Sequence, residues 1–195
     1  MAGILGVGAA LVWQHAAAPV ELSIGTYLSP RRALPDFSLI DQRGEPFGPS
    51  NLRGHWSLLF FGYTNCPDFC PTTLSTLAVL EKRLRASSAA VRPQVIFVSV
   101  DAKRDTPQQL AKYVPYFDPD FIGVTAADQA TIEAVARKFG AGVTLEPASD
   151  GSYTVYHSGA IFVVDPHGMM AAILTGPFTV KDLEADLRRI MAASA

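Results

Sequence analysis

The sequence predicts an α/β fold in which a central mixed sheet carries helices on both faces. Three observations lead there. Two nearly continuous apolar runs of strand length, Trp56 to Phe61 and Val95 to Val100, have the composition of central strands covered on both sides. Between them, Pro71 to Ala86 repeats leucine at helical spacing, at Leu74, Leu77, Leu80 and Leu84. Beyond Gly140 the pattern changes to short apolar runs in pairs around Ser149-Asp150-Gly151 and Asp165-Pro166-His167-Gly168, which reads as two hairpins. Alternating strands and helices, followed by an antiparallel pair and a closing helix, make a mixed sheet the expected solution.

The elements follow in chain order. Met1 to Val20 contains no Asp, Glu, Lys or Arg, and Ala2 to Trp13 is apolar throughout. Such a run is shorter than the ~20 residues that cross a bilayer core, and the basic n-region of a signal peptide is missing ahead of Ala16-Ala17-Ala18. The expectation is a membrane anchor or export segment over 1–18, truncated relative to a full span. A tether over 19–33, with Pro19 and the turn-rich Ser29-Pro30-Arg31-Arg32, then separates it from a folded domain over 34–193. Pro35 to Asp41 reads as a strand turning at Gln42-Arg43-Gly44-Glu45, which makes an N-terminal hairpin.

After the first core strand, Pro71 suits the opening turn of a helix. Thr106-Pro107 has the form of an N-cap and first helical position, with that helix stopped near Pro115. Asp128 to Phe139 is amphipathic and closed by Gly140. Val143 to Leu145 and Tyr153 to Tyr156 form the first late hairpin, an insertion relative to the sheet; Ala160 to Val164 and Met169 to Leu174 form the second. Thr179, with Asp182 three residues on, opens the last helix, which runs to about Met191.

Composition limits the function. The 195 residues, 49% of them hydrophobic, suffice for one domain with a substantial core. Sixteen basic side chains face eighteen acidic ones for a net charge of -2, and no Lys or Arg stripe is present, so nucleic acid is not an expected partner.

The chemistry points to Cys66 and Cys70, the only two cysteines. With a helix starting near Pro71, Cys70 lies at its N-terminal edge and Cys66 on the preceding loop, where unpaired N–H groups favour thiolate. The spacing is one residue longer than the C-x-x-C of redox motifs, and no second pair completes a four-thiolate zinc site. A purely structural disulfide would close too small a loop to gain much. Two chemistries stay open: a soft metal held by two sulfurs and an imidazole, for which Cu(I) is suited, or cycling between dithiol and disulfide.

Four histidines are available: His15, His55, His157 and His167. If the sheet is thioredoxin-like, a strand antiparallel to Trp56–Phe61 starts beside that strand's end, where the cysteines are, and His157 alone meets this condition. His55 and His167 read as solvent-facing, Tyr63 and Tyr156 as packing residues, and Asp68 and Asp101 as caps of local structure.

Gly62-Tyr63-Thr64-Asn65-Cys66-Pro67-Asp68-Phe69-Cys70-Pro71 resembles the cysteine motif of the Sco/SenC family of copper-delivery proteins. Val98-Ser99-Val100-Asp101 with Arg104-Asp105-Thr106-Pro107 is similar to the family's second signature, and Tyr156-His157-Ser158 leading into Ala160 to Asp165 to its third. The likeness spans roughly Leu34 to Ile190. It implies a thioredoxin-like fold on a membrane anchor and copper, as Cu(I) and also Cu(II), held by Cys66, Cys70 and His157. It further implies delivery to the binuclear copper site of cytochrome c oxidase. The implied partners are the oxidase's copper-site subunit or another copper chaperone. The implied location is the periplasmic face of a bacterial inner membrane or the intermembrane space of mitochondria.

One departure stands out: the family often has an acidic residue before the histidine, and here it is Tyr156. The competing function is a thiol-disulfide oxidoreductase acting on an oxidase subunit or another exported protein, with Cys66 and Cys70 as the redox-active thiols. A peroxidase ranks last, because Thr64 stands two positions before Cys66 rather than three.

Overall fold

The computed structural model describes residues 20–87 and 92–194. Its strands are β1 (Gly25–Ala33), β2 (Leu39–Asp41), β3 (Pro46–Phe47), β4 (Ser57–Gly62), β5 (Gln94–Ser99), β6 (Ile122–Thr125), β7 (Val143–Pro147), β8 (Tyr153–His157), β9 (Ile161–Val164) and β10 (Met169–Leu174). The helices are α1 (Phe69–Ala86), α2 (Pro107–Tyr113), α3 (Gln129–Phe139) and α4 (Val180–Ala192). Eight strands form one sheet in the order β1-β10-β9-β4-β5-β6-β2-β3, and β7 and β8 pair separately.

The buried run Ser57–Gly62 makes β4 central. It pairs parallel with β5 and antiparallel with β9. A parallel neighbour needs a crossover, which α1 supplies. Successive side chains of a strand alternate between faces, so Phe60 and Phe61 enter different cores. Phe61 packs with Phe139 and Phe162 in the core that includes α3. Phe60 joins Leu74, Leu77, Phe97 and Leu187 in the core that includes α1, α2 and α4. Helices thus cover both faces, as the sequence predicts.

The expected caps form. Thr106 accepts from the Gln109 amide, Asp128 from Thr131 and Thr179 from Asp182, and Gly140 ends α3 at φ 84°. The N-terminal hairpin is β2–β3, shorter than expected because β2 begins at Leu39 rather than at Pro35. The inserted hairpin is β7–β8.

Three features depart from the sequence expectation. Residues 25–33, read as tether, are β1, which pairs antiparallel to β10 at the sheet edge with an irregularity between Tyr27 and Arg32. Proline and arginine belong on an edge strand, and here Arg31 reaches the buried Asp165 at 2.6 Å while Arg32 donates to the Phe139 carbonyl at 2.8 Å. The short β6, parallel to β5, carries no sequence signal of its own. Helix α1 begins at Phe69, so Cys70 is inside its first turn. The proposed anchor over 1–18, including His15, lies outside the described residues; among those described, no helix is long and apolar enough to cross a membrane.

Candidate metal centre

The end of β4 and the start of α1 present the two thiols, both free. Gly62 makes this possible: a Cβ there would stand 2.8 Å from Cys70 Sγ and 2.7 Å from Phe97 Cε2, inside contact distance of both. The Cys70 backbone N–H donates to Cys66 Sγ at 3.4 Å, so the helix N-terminus is aimed at the outer sulfur. Cys66 is half-buried and Cys70 fully buried. The expectation of a helix-favoured thiolate does not hold for Cys70, because burial pushes its thiol up and outweighs the backbone hydrogen bond with Tyr63 that lowers it.

His157 arrives from the other end of the chain. β9 runs antiparallel to β4 with Ile161 opposite Phe60, so the chain leading into β9 passes the end of β4. The His157 Nδ1 lies 3.0 Å from the Ser158 carbonyl oxygen, which can only accept. That assigns the proton to Nδ1 and turns the Nε2 lone pair toward Cys70 Sγ, 3.5 Å away. Burial also lowers the pKa of the ring, which favours the neutral imidazole, against the hydrogen bond to Ser158. The ligand atoms of Cys66, Cys70 and His157 all lie within 4.8 Å of one another. Atoms sharing one ion at bonds of about 2.0–2.3 Å stand roughly 3.5–4 Å apart, so the trio fits one ion with small adjustment.

Aromatic rings fix the imidazole. Tyr63, Phe69 and Phe60 place their centroids 5.7, 6.2 and 6.3 Å from it. Gly159 admits Phe69: a Cβ at that position would meet the ring at 2.6 Å. Cys66 and His157 line a cleft of about 680 Å³ together with Tyr63, Phe69, Tyr156 and Pro177, among others, while Cys70 lies buried behind them. Tyr63 packs as expected. Tyr156 does not: it is 54% exposed and stands on the cleft rim. His55 and His167 are exposed, as anticipated.

Sequence reasoning missed several supports. Asp105 is buried and accepts from the Thr64 amide at 2.9 Å, the Thr64 hydroxyl at 2.6 Å and the Ser99 hydroxyl at 2.6 Å, which pins the loop just before Cys66. Its polar neighbours within the second sequence signature were the available signal. Asp101 is buried and structural, whereas Asp68 is exposed and makes no capping bond with its side chain.

The chain matches the SCO1/SenC family model over residues 26–192. It is 36% identical over 165 residues to a protein of Stutzerimonas stutzeri described as a putative copper-binding protein, covering 84% of this chain and 80% of that one. It is 32% identical over 159 residues to the human mitochondrial protein SCO2 homolog, covering 81% of this chain but 59% of that protein's length. Among solved structures, copper-bound ScoI of Arabidopsis thaliana superposes with a TM-score of 0.76 at 31% identity, over 82% of this chain and 98% of that one. Copper-bound yeast Sco1 gives the same TM-score at 27% identity, over 83% and 90%. The arrangement of sheet and helices is thus the thioredoxin-like one of these structures. With a family match across most of its length, this chain belongs to the SCO1/SenC family.

Proposed function

We propose that this protein is a copper metallochaperone that holds copper through Cys66, Cys70 and His157 and delivers it to the binuclear copper site of cytochrome c oxidase during assembly. The observation that carries this reading is the convergence of two sulfurs and an imidazole nitrogen within 4.8 Å, with Cys66 and His157 lining an open cleft and Cys70 buried behind them. Soft sulfur ligands suit Cu(I), and an imidazole extends the site to Cu(II). Copper is cargo here. A three-ligand site with Cys66 and His157 open to a cleft leaves room for a ligand of the recipient to attach before the donor's ligands let go. The recipient is the oxidase's copper-site subunit or another copper chaperone. The domain works on the periplasmic or intermembrane-space side, tied to the membrane by the 1–18 segment.

The test is competition titration of the reduced protein with Cu(I). The parent is expected to bind one equivalent and His157→Ala to bind at least tenfold more weakly, since one of three ligands is gone. Equal affinity in the two would remove the proposal.

A second reading, a thiol-disulfide oxidoreductase using Cys66 and Cys70, is favoured by one observation: the outer sulfur is half-buried and receives an N–H from the start of α1. It also draws support from BsSco, 25% identical with a TM-score of 0.65, which is described through a disulfide switch. Buried Cys70, with its thiol pushed up, suits a resolving thiol better than an attacking one.

A further inference from the structure

The ligand-bearing segments belong to different sheets. Cys66 and Cys70 follow β4 of the large sheet, whereas His157 ends β8 of the separate two-stranded one. A lone hairpin is marginally stable in water, so its placement depends on what it packs against. Val155 is buried in the core that includes α3. Beyond it, at the far end of β8 from His157, one polar cluster holds the hairpin.

Tyr153 donates its hydroxyl to Asp101 Oδ1 at 2.6 Å, and Asp101 is fully buried. The same carboxylate pairs with Arg104. The Arg104 guanidinium lies 4.0 Å from the Tyr153 ring centroid and 5.8 Å from that of Tyr63. Tyr63, on the cysteine loop, meets the His157 ring edge-on at 5.7 Å. A single guanidinium therefore stands between a tyrosine of the histidine hairpin and a tyrosine of the cysteine loop, with a buried carboxylate fixing it. Lys103 adds a second cation 5.7 Å from the Tyr153 ring centroid.

We infer that Asp101, Arg104 and Tyr153 are positioning residues that latch the β7–β8 hairpin to the segment after β5 and so hold the His157 imidazole against the cysteine pair. The inference rests on the copper-binding reading above. Two features favour it over simple packing. Burying the Asp101 carboxylate costs desolvation, and Arg104, half-buried, keeps its Nη2 buried without a hydrogen-bond partner among the described residues, a cost that apolar side chains here would avoid. Lever length is the second: Tyr153 and His157 stand four residues apart on one strand, roughly 13 Å at ~3.3 Å per residue, so rocking the hairpin by about 5° moves the imidazole by about 1 Å. A metal–ligand bond does not tolerate such a displacement.

Tyr153→Phe tests the latch, because it keeps the ring against Arg104 and removes the hydroxyl donor; Arg104→Lys keeps the charge and removes the planar stack. Cu(I) affinity is measured by competition for Tyr153→Phe and for Arg104→Lys, each in the parent and in the His157→Ala background. Amide hydrogen exchange of the copper-free proteins is followed in β7–β8 and, as reference, in β4 and β5. The expected result is a loss of affinity on the order of tenfold in the parent, none in the His157→Ala background, and faster exchange confined to the hairpin. No loss in the parent, or the same loss in both backgrounds, would overturn the inference, since the latter means the cluster acts on the thiols or the whole fold. Should His157→Ala itself leave affinity unchanged, the copper reading fails. The exchange data then decide alone: faster hairpin exchange keeps the latch, and unchanged exchange removes it.

Discussion

Replacing Gly62 by alanine tests whether the sulfur geometry depends on a missing side chain. The added Cβ would sit 2.8 Å from Cys70 Sγ and 2.7 Å from Phe97 Cε2, against an ordinary contact of about 3.5–4.0 Å. Relief requires the sulfur and the ring together to give way by roughly 1 Å. Both side chains are fully buried, so neither has free space. Overpacking of this kind costs about 1–3 kcal/mol, which for a protein of this size lowers the melting midpoint by roughly 2–12 °C. A 1 Å shift of one ligand should also weaken Cu(I) binding at least tenfold. Gly142→Ala is the control, because a Cβ there meets nothing within 4 Å. Thermal unfolding of the copper-free protein and Cu(I) competition read the two effects. If Gly62→Ala matched the control in both, the close approach of β4 to Cys70 would not matter and the reasoning would be refuted.

Two further outcomes are expected away from the cleft. Glu81 is 5% exposed, its Oε1 has no partner among the described residues, and burial pushes its pKa up to about 7, opposed by Arg92 and Arg85 and reinforced by Asp118 and Asp120. Between pH 4.5 and about 7 the unfolded state ionises this carboxyl while the folded state keeps it protonated, so stability should fall by roughly 2–3 kcal/mol as pH rises through that window. Glu81→Gln should flatten this slope in denaturant titrations at several pH values; an unchanged slope would contradict the assignment. Asp186, fully buried, accepts from the Ser23 and Ile24 amides at 2.8–2.9 Å and from Arg189 at 2.7 Å. Asp186→Ala should cost roughly 3 kcal/mol and free residues 20–24 for proteolysis, seen as early cleavage ahead of β1.

Much of the scaffold was legible because its signals are local. The apolar runs at β4 and β5, the leucine spacing of α1 and the caps at Thr106, Asp128 and Thr179 each depend on neighbours in sequence, and the elements formed where they pointed. β1 was not legible: its arginines and proline look like a linker, and only the distant partners Asp165 and the Phe139 carbonyl make them edge-strand residues. The trio Cys66, Cys70 and His157 could be named because sheet order ties the end of β4 to the start of β9. What surrounds it could not. Thiol burial, the need for glycine at 62 and 159, and the cluster joining Asp101, Arg104 and Tyr153 arise from contacts between segments far apart in the chain. Tyr156 misled for the opposite reason, since an aromatic residue beside His157 suggests packing, yet strand alternation turns it outward.

X-ray absorption at the copper edge of the Cu(I)-loaded protein measures the ligand shell itself. Two sulfurs at about 2.2–2.3 Å and one nitrogen at about 2.0 Å are expected, with the nitrogen lost in His157→Ala. A shell that is identical in the parent and His157→Ala, or one without two sulfurs, would contradict the three-ligand copper site.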